Sequence, residues 1–345
     1  MAGPGAEDWL NAVFANRMPR AVGRSCLTPL IGRRGGIAGD FTVTRLGEEE
    51  FWVLGSGMAE RYHQRFFRAV PLPHGTTCDS LTEAVCGFNI AGPQSRALLA
   101  TLTEADLANA GFPFFRARRM TVAGVDCVAI RVSFTGDLGW ELHCAVGDQL
   151  ALYSALIDAG RGLGIGPVGS RALLSLRVEK GYGSWGRDYS PEYWPQECGL
   201  DGLIREDKDF LNKSAWLAIK DSPPRERMVM LEIEVTDADA TGGEPIFLPD
   251  GTPVGQVSSG AYGYSVGASL AIAYLKADHA RPRHDGRGRD PGPPARRTRP
   301  VRASVRPRRH AAARSSPSRG TCAVGPDAGR VVEDLERVTG IEPVT

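Results

Sequence analysis

Hydrophobic and polar positions divide the chain into a patterned body and an unpatterned end. Trp9, Leu10, Val13 and Phe14 recur every three to four positions, which predicts a helix over residues 6–16. Residues 24–57 then carry three apolar runs of strand length, with Gly35 and Gly36 at one turn and residues 47–50 at the next. Asp40 falls at the start of the middle run, directly after Gly39. Tyr62, Phe66 and Phe67 mark a core-packing helix, and neither His63 nor His74 has a partner at a spacing that signals a metal or catalysis. A strand over 84–90 precedes a helix opened by Pro93 that buries Leu98, Leu99 and Leu102. Strands over 119–132 and 139–146 lead into a helix over 148–163 with Leu150, Leu152, Tyr153, Leu156 and Ile157 inward. Strands interspersed with helices, with hairpins between neighbours, predict an α+β fold of mixed sheets rather than a doubly wound parallel one.

The densest stretch is SFTGDLGWE, residues 133–141. Val125, Val128, Ile130 and Val132 before it and Leu142 after it predict two strands joined by a tight turn, with Gly136 and Gly139 at the bend. Glu141 leaves that turn with a carboxylate able to accept two parallel hydrogen bonds from a ligand edge bearing two N–H donors, and a pterin has such an edge. Taken alone, the stretch is more simply an ordinary hairpin with an exposed Glu.

A second dense stretch covers residues 169–200. Its helix, over 171–180, carries Leu173, Leu174, Leu176 and Val178 together with Arg171, Arg177 and Glu179. Buried charges must be paired, so this helix either forms an internal ion network or faces a polar ligand. Tyr182, Trp185, Tyr189, Tyr193 and Trp194 follow among glycines and prolines, as a wall for a conjugated anionic ligand or as ordinary packing.

Composition changes the picture at the C-terminal end. From His279 to Gly320 there are 13 Arg, no Lys and two acids, Asp285 and Asp290, so this stretch lacks the apolar surface to offset its ordering entropy. Residues 279–345 are expected to be a disordered tail. Arginine without lysine, mixed with Pro, Ala and Gly, favours a shifted reading frame over a selected basic arm, so no nucleic-acid partner is expected. The remainder, residues 1–278, holds 26 basic residues against 33 acidic ones, a net charge of −7. Seven cysteines without metal spacing, no apolar run of the roughly 18 residues a membrane helix needs, and no signal-like start predict a reduced, cytoplasmic protein. The GSG at 55–57 lacks the third glycine of a dinucleotide fingerprint, Glu60 standing there, and no flavin fingerprint occurs.

Taken in order, GGIAGDFTV, GPQSRALL, SFTGDLGWEL and SRALLSLRVEKGY with GRD and PQECGL resemble the aminomethyltransferase family, the T-protein of the glycine cleavage system. The pattern is most similar to the tetrahydrofolate domains at the C-terminal ends of dimethylglycine and sarcosine dehydrogenases, and extends through GGEPIFLPDGTPVGQVSSGAYGYSVGASLAIAYL. The resemblance implies a folate-binding domain over 1–220 and a C-terminal β-barrel domain over 221–278. It implies further strands before residue 6 and beyond residue 277, leaving the barrel incomplete here.

By the same resemblance Asp40 is the catalytic carboxylate beside the folate's bridging nitrogen, and Glu141 grips the pterin edge. Arg171, Phe134 and Gly136 join the folate site, Phe134 standing where many relatives have Tyr and Gly39 where many have an acid. The implied activity is tetrahydrofolate-dependent capture of an aminomethyl or iminium carbon, beside a flavin dehydrogenase domain or a lipoyl carrier protein as partner. The alternative is a folate-binding remnant or regulator without catalysis.

Overall fold

The computed structural model describes residues 1–235 and 238–280 and the backbone of Ser304–Val305. The tail expected over 279–345 thus lies, past Ala280, outside the described residues apart from that pair. Among the described residues, no helix is long and apolar enough to cross a membrane.

The chain divides into two compact units. The first comprises Met1–Ile31, Ala38–Val168 and Leu203–Lys213. It opens with helix α1 (Ala6–Val13), which buries Ala6, Trp9, Leu10 and Val13 against a sheet of β1 (Ser25–Ile31), β2 (Ile37–Gly47) and β3 (Glu50–Leu54) in that order. Phe14, Phe41 and Val43 complete this core, and α2 (Glu60–Arg68) adds Phe66 and Phe67. The glycine turns place these strands where the apolar runs predict them. Strand β2, however, begins before Asp40, which therefore sits inside the strand rather than at its start.

The other sheet of this unit takes the order β4 (Val85–Ala91), β7 (Gly139–Ala145), β6 (Val125–Ile130), β5 (Ala117–Val122), every neighbour antiparallel. One face carries Trp140, Leu142, Cys144 and Cys127 and is covered by α3 (Ser95–Ala100) and α4 (Gln149–Gly160) through Leu98, Leu99, Leu152 and Leu156. Burying a side chain as large as Trp140 contributes roughly 2–3 kcal/mol. Helix α4 turns Leu152, Leu156 and Gly160 inward, while Leu150 and Tyr153 are exposed, which corrects the wider apolar face read from the sequence. Residues four apart form the inward stripe, and positions 150 and 153 fall to its flanks.

The opposite face of this sheet meets the first sheet. Ala117, Val128 and Ile130 pack there against Leu46, Trp52, Leu54 and Val132. The first unit is therefore layered as helix, sheet, sheet, helix, with an inner seam between the two sheets.

The second unit comprises Gly32–Ile37, Gly169–Gly202 and the described residues from Ser214 onward. Its sheet runs β12 (Ser304–Val305), β9 (Pro245–Phe247), β10 (Pro253–Gly263), β11 (Ala268–Lys276), β8 (Glu226–Ile233), all antiparallel and, among the described residues, open rather than closed into a barrel. Helices α5 (Ser170–Glu179) and α6 (Pro195–Cys198) lie in this unit, and α7 (Lys213–Leu217) begins at the last residue of the first unit's segment 203–213.

In α5 three of the four buried positions are polar. Ser175, Arg177, Val178 and Glu179 are buried, while Leu173, Leu174 and Leu176 are only half-buried. Arg177 donates to Asp188 at 2.5 Å, to the Tyr182 carbonyl at 3.0 Å and to Ser259 at 2.6 Å. Asp188 also accepts from Ser258 Oγ at 2.5 Å and the Ser184 N–H at 2.9 Å, and Glu179 accepts from the Ser265 N–H at 3.0 Å. Of the two sequence readings for this helix, Arg177 follows the internal ion network, whereas Glu179 is held by a backbone N–H. Tyr193 of the aromatic loop stacks on Tyr274 at 3.6 Å, an ordinary packing role.

Candidate active site

Strand alternation fixes where the Asp40 carboxylate points. A side chain on Gly39 would run into Phe41 at 2.6 Å and His63 at 2.8 Å, both on the α2 side, so positions 39 and 41 face the helix and Asp40 faces the inner seam. Thr42 and Thr44 share that face and lie opposite Leu54 and Trp52 in the β2–β3 register. Asp40 is half-buried, and burial pushes its carboxyl up to about 6, against a hydrogen bond from its own backbone N–H. A carboxylate tuned to that range can exchange a proton near neutral pH. On the other side of the strand, burial pushes the His63 imidazole down to about 4 against a hydrogen bond with the Ala38 backbone, keeping it neutral at pH 7.

Glu141 reaches the same seam from the facing sheet. It lies opposite Ile130, as His143 lies opposite Val128, and Ile130 and Val128 are the residues that pack on Trp52 and Leu54. Directly opposed residues of an antiparallel pair share a face, so Glu141 and His143 look toward the sheet that holds Asp40. The Glu141 carboxylate is 29% exposed and stands 3.4 Å from His143 Nε2. Trp52 meets His143 edge to face at 5.8 Å, which joins the two sheets beside Glu141. His143 escaped the sequence reading, although strand alternation alone places residue 143 on the face of residue 141.

The segment before Glu141 is not a tight turn. Strand β6 ends at Ile130 and β7 starts at Gly139, leaving residues 131–138 as a loop. Side chains hold it in place of ladder bonds: the Gly136 N–H donates to Ser133 Oγ at 2.9 Å, and Thr135 Oγ1 donates to Asp137 at 3.1 Å. Gly136 takes φ +86°, the left-handed conformation glycine favours, and Phe134 is half-buried two residues earlier. Gly139, by contrast, is ordinary strand whose missing side chain admits the Ile90 carbonyl. Arg171 belongs to the second unit and is exposed on the first turn of α5.

Comparisons with known proteins agree with this architecture. Residues 1–208 match the GCVT N-terminal domain, and residues 226–287 match the glycine cleavage T-protein C-terminal barrel domain. Human mitochondrial dimethylglycine dehydrogenase is 33% identical over 270 residues, which cover 77% of this chain and 31% of that protein. The aminomethyltransferase of Saccharopolyspora erythraea is 29% identical over 285 residues, covering 82% of this chain and 77% of that one. The chain thus spans about a third of the length of the dehydrogenases it matches and most of the length of the aminomethyltransferase. A crystal structure of the glycine cleavage system aminomethyltransferase T from Bartonella henselae superposes with a TM-score of 0.71 at 25% identity, covering 81% of this chain and 76% of that one. With its matched N-terminal domain covering well over half its length, the chain belongs to the glycine cleavage T-protein, or aminomethyltransferase, family.

Proposed function

We propose that the first unit binds tetrahydrofolate along its inner seam and transfers a one-carbon unit to it, taking an aminomethyl or iminium carbon and yielding methylene-tetrahydrofolate. The single observation that carries this reading is the placement of Asp40 and Glu141 on the facing surfaces of two packed sheets. The Glu141 carboxylate fits a pterin edge, because among the described residues only His143, at 3.4 Å, is within hydrogen-bonding reach of it, and acceptor capacity remains for two N–H donors. Tetrahydrofolate, when bound, supplies the nitrogen nucleophiles that take up the carbon.

Asp40 acts as the proton acceptor at the reacting nitrogen, since its raised affinity for a proton suits that exchange at neutral pH. The apolar walls formed by Trp52, Leu54, Val128 and Ile130 keep water from an iminium and hold the reactants together. Phe134 and Gly136 line the ligand from the loop over 131–138. Two relatives, a dimethylglycine dehydrogenase and a glycine cleavage system aminomethyltransferase, point to two donor systems. A flavin domain or a lipoyl carrier protein is the corresponding partner.

Formaldehyde capture tests the reading. The protein mixed with formaldehyde and tetrahydrofolate is expected to form methylene-tetrahydrofolate faster than the spontaneous reaction, and Asp40→Ala is expected to remove the excess rate. A rate equal to the uncatalysed one would leave a binding protein without catalysis.

A further inference from the structure

On the helix-covered face of the second sheet, behind Glu141, lies a group of arginines that the proposed reaction does not use. Arg96 on α3 and Arg131, the first residue after β6, both donate to one neutral acceptor, Asn109 Oδ1, at 2.6 Å and 2.9 Å. Their donor nitrogens are therefore no more than about 5.5 Å apart, where like charges repel. Both guanidiniums sit over the ring of Trp140, at 6.0 Å and 5.6 Å from its centroid. A third, Arg118, donates to the carbonyls of Asp106 and Gly111 and lies 5.0 Å from the Phe112 ring.

Among the described residues, none of Arg96, Arg118 and Arg131 has a carboxylate within ion-pairing distance. Asp106, in the same loop, instead accepts from the Ala108 N–H at 2.9 Å. Two buried donor atoms, Arg96 Nε and Trp140 Nε1, lack a hydrogen-bond acceptor. Buried donors without acceptors and clustered cations without an anion are each costly, and one ligand oxyanion relieves both. Burial and the nearby charge of Arg96 also lower the proton affinity of Arg131.

We propose that Arg96, Arg131 and Trp140 form a binding site for a single oxyanion, a carboxylate or phosphate group, on the face of β7 opposite Glu141. Arg96 supplies its Nε–H, Arg131 its charge and Trp140 its indole N–H. The site is independent of the folate reading.

Calorimetric titration of the full chain with inorganic phosphate and, separately, with glutarate, at constant ionic strength in chloride, distinguishes a free phosphate source from an organic carboxylate. One saturable site is expected for at least one anion, weakened at least tenfold in Arg96→Gln and unchanged in Arg119→Gln, whose partner is Glu50. Proton–nitrogen NMR of arginine Nε–H groups gives a readout that needs no variant to fold: the Arg96 signal shifts with the same saturation curve. No saturable binding of either anion, or equal binding by Arg96→Gln, overturns the proposal.

Discussion

Trp52 and His143 meet edge to face at 5.8 Å, one on the sheet of Asp40 and the other two residues from Glu141. His143 thereby links the packing of the seam to the position of the Glu141 carboxylate, 3.4 Å from its Nε2. His143→Ala should leave the fold intact and weaken tetrahydrofolate binding by about threefold to tenfold, the scale of losing one such contact. Calorimetry together with circular dichroism checks this.

Asp40 predicts an opposite dependence of stability and activity on pH. Burial pushes its carboxyl in the folded protein up to about 6, above the 3.8 of an ordinary aspartate. The stability it contributes is fully present below about 3.8 and lost as pH rises through 6. Asp40→Asn should therefore be more stable than the parent by on the order of 2 kcal/mol at pH 8, with the difference vanishing below pH ~4. The transfer rate of the parent should fall as pH drops through about 6. Urea melts across that range and rate measurements on the same samples test both signs.

Gly39 is held bare by its neighbours. Because Phe41 and His63 occupy the space of a side chain there, Gly39→Asp should cost about 1–3 kcal/mol. His63→Ala in the same chain should recover part of that loss, and a thermal double-mutant cycle measures the coupling.

Within the second unit, Arg177 and Asp188 are 1% and 0% exposed. Removing one charge strands the other, so Asp188→Ala should cost about 3–5 kcal/mol. Combining it with Arg177→Met should cost less than the sum of the two single changes, which denaturant titration resolves.

Much of this architecture is legible in residue order. Periodicity located α1, the three strands around Gly35 and residues 47–50, and the strand carrying Glu141, because each buries one face. Alternation from residues 39 and 41 also fixes the direction of Asp40. Periodicity failed where side chains bond instead of burying apolar surface. The loop over 131–138 resembles a turn in sequence, yet Ser133 and Thr135 hold it open. In α5 the leucines are only half-buried, and the Arg177–Asp188 pair takes a deep position that apolar periodicity does not mark. The Arg96–Arg131 pair brings residues from distant segments onto Asn109, and no local pattern announces it.

The central claim is that the carboxylates of Asp40 and Glu141 serve one bound folate in distinct ways. Calorimetric titration of tetrahydrofolate into the parent protein, Glu141→Ala and Asp40→Ala tests it most directly. Binding should be abolished in Glu141→Ala and largely kept in Asp40→Ala, whose defect is in transfer. Equal affinity in all three proteins would contradict it.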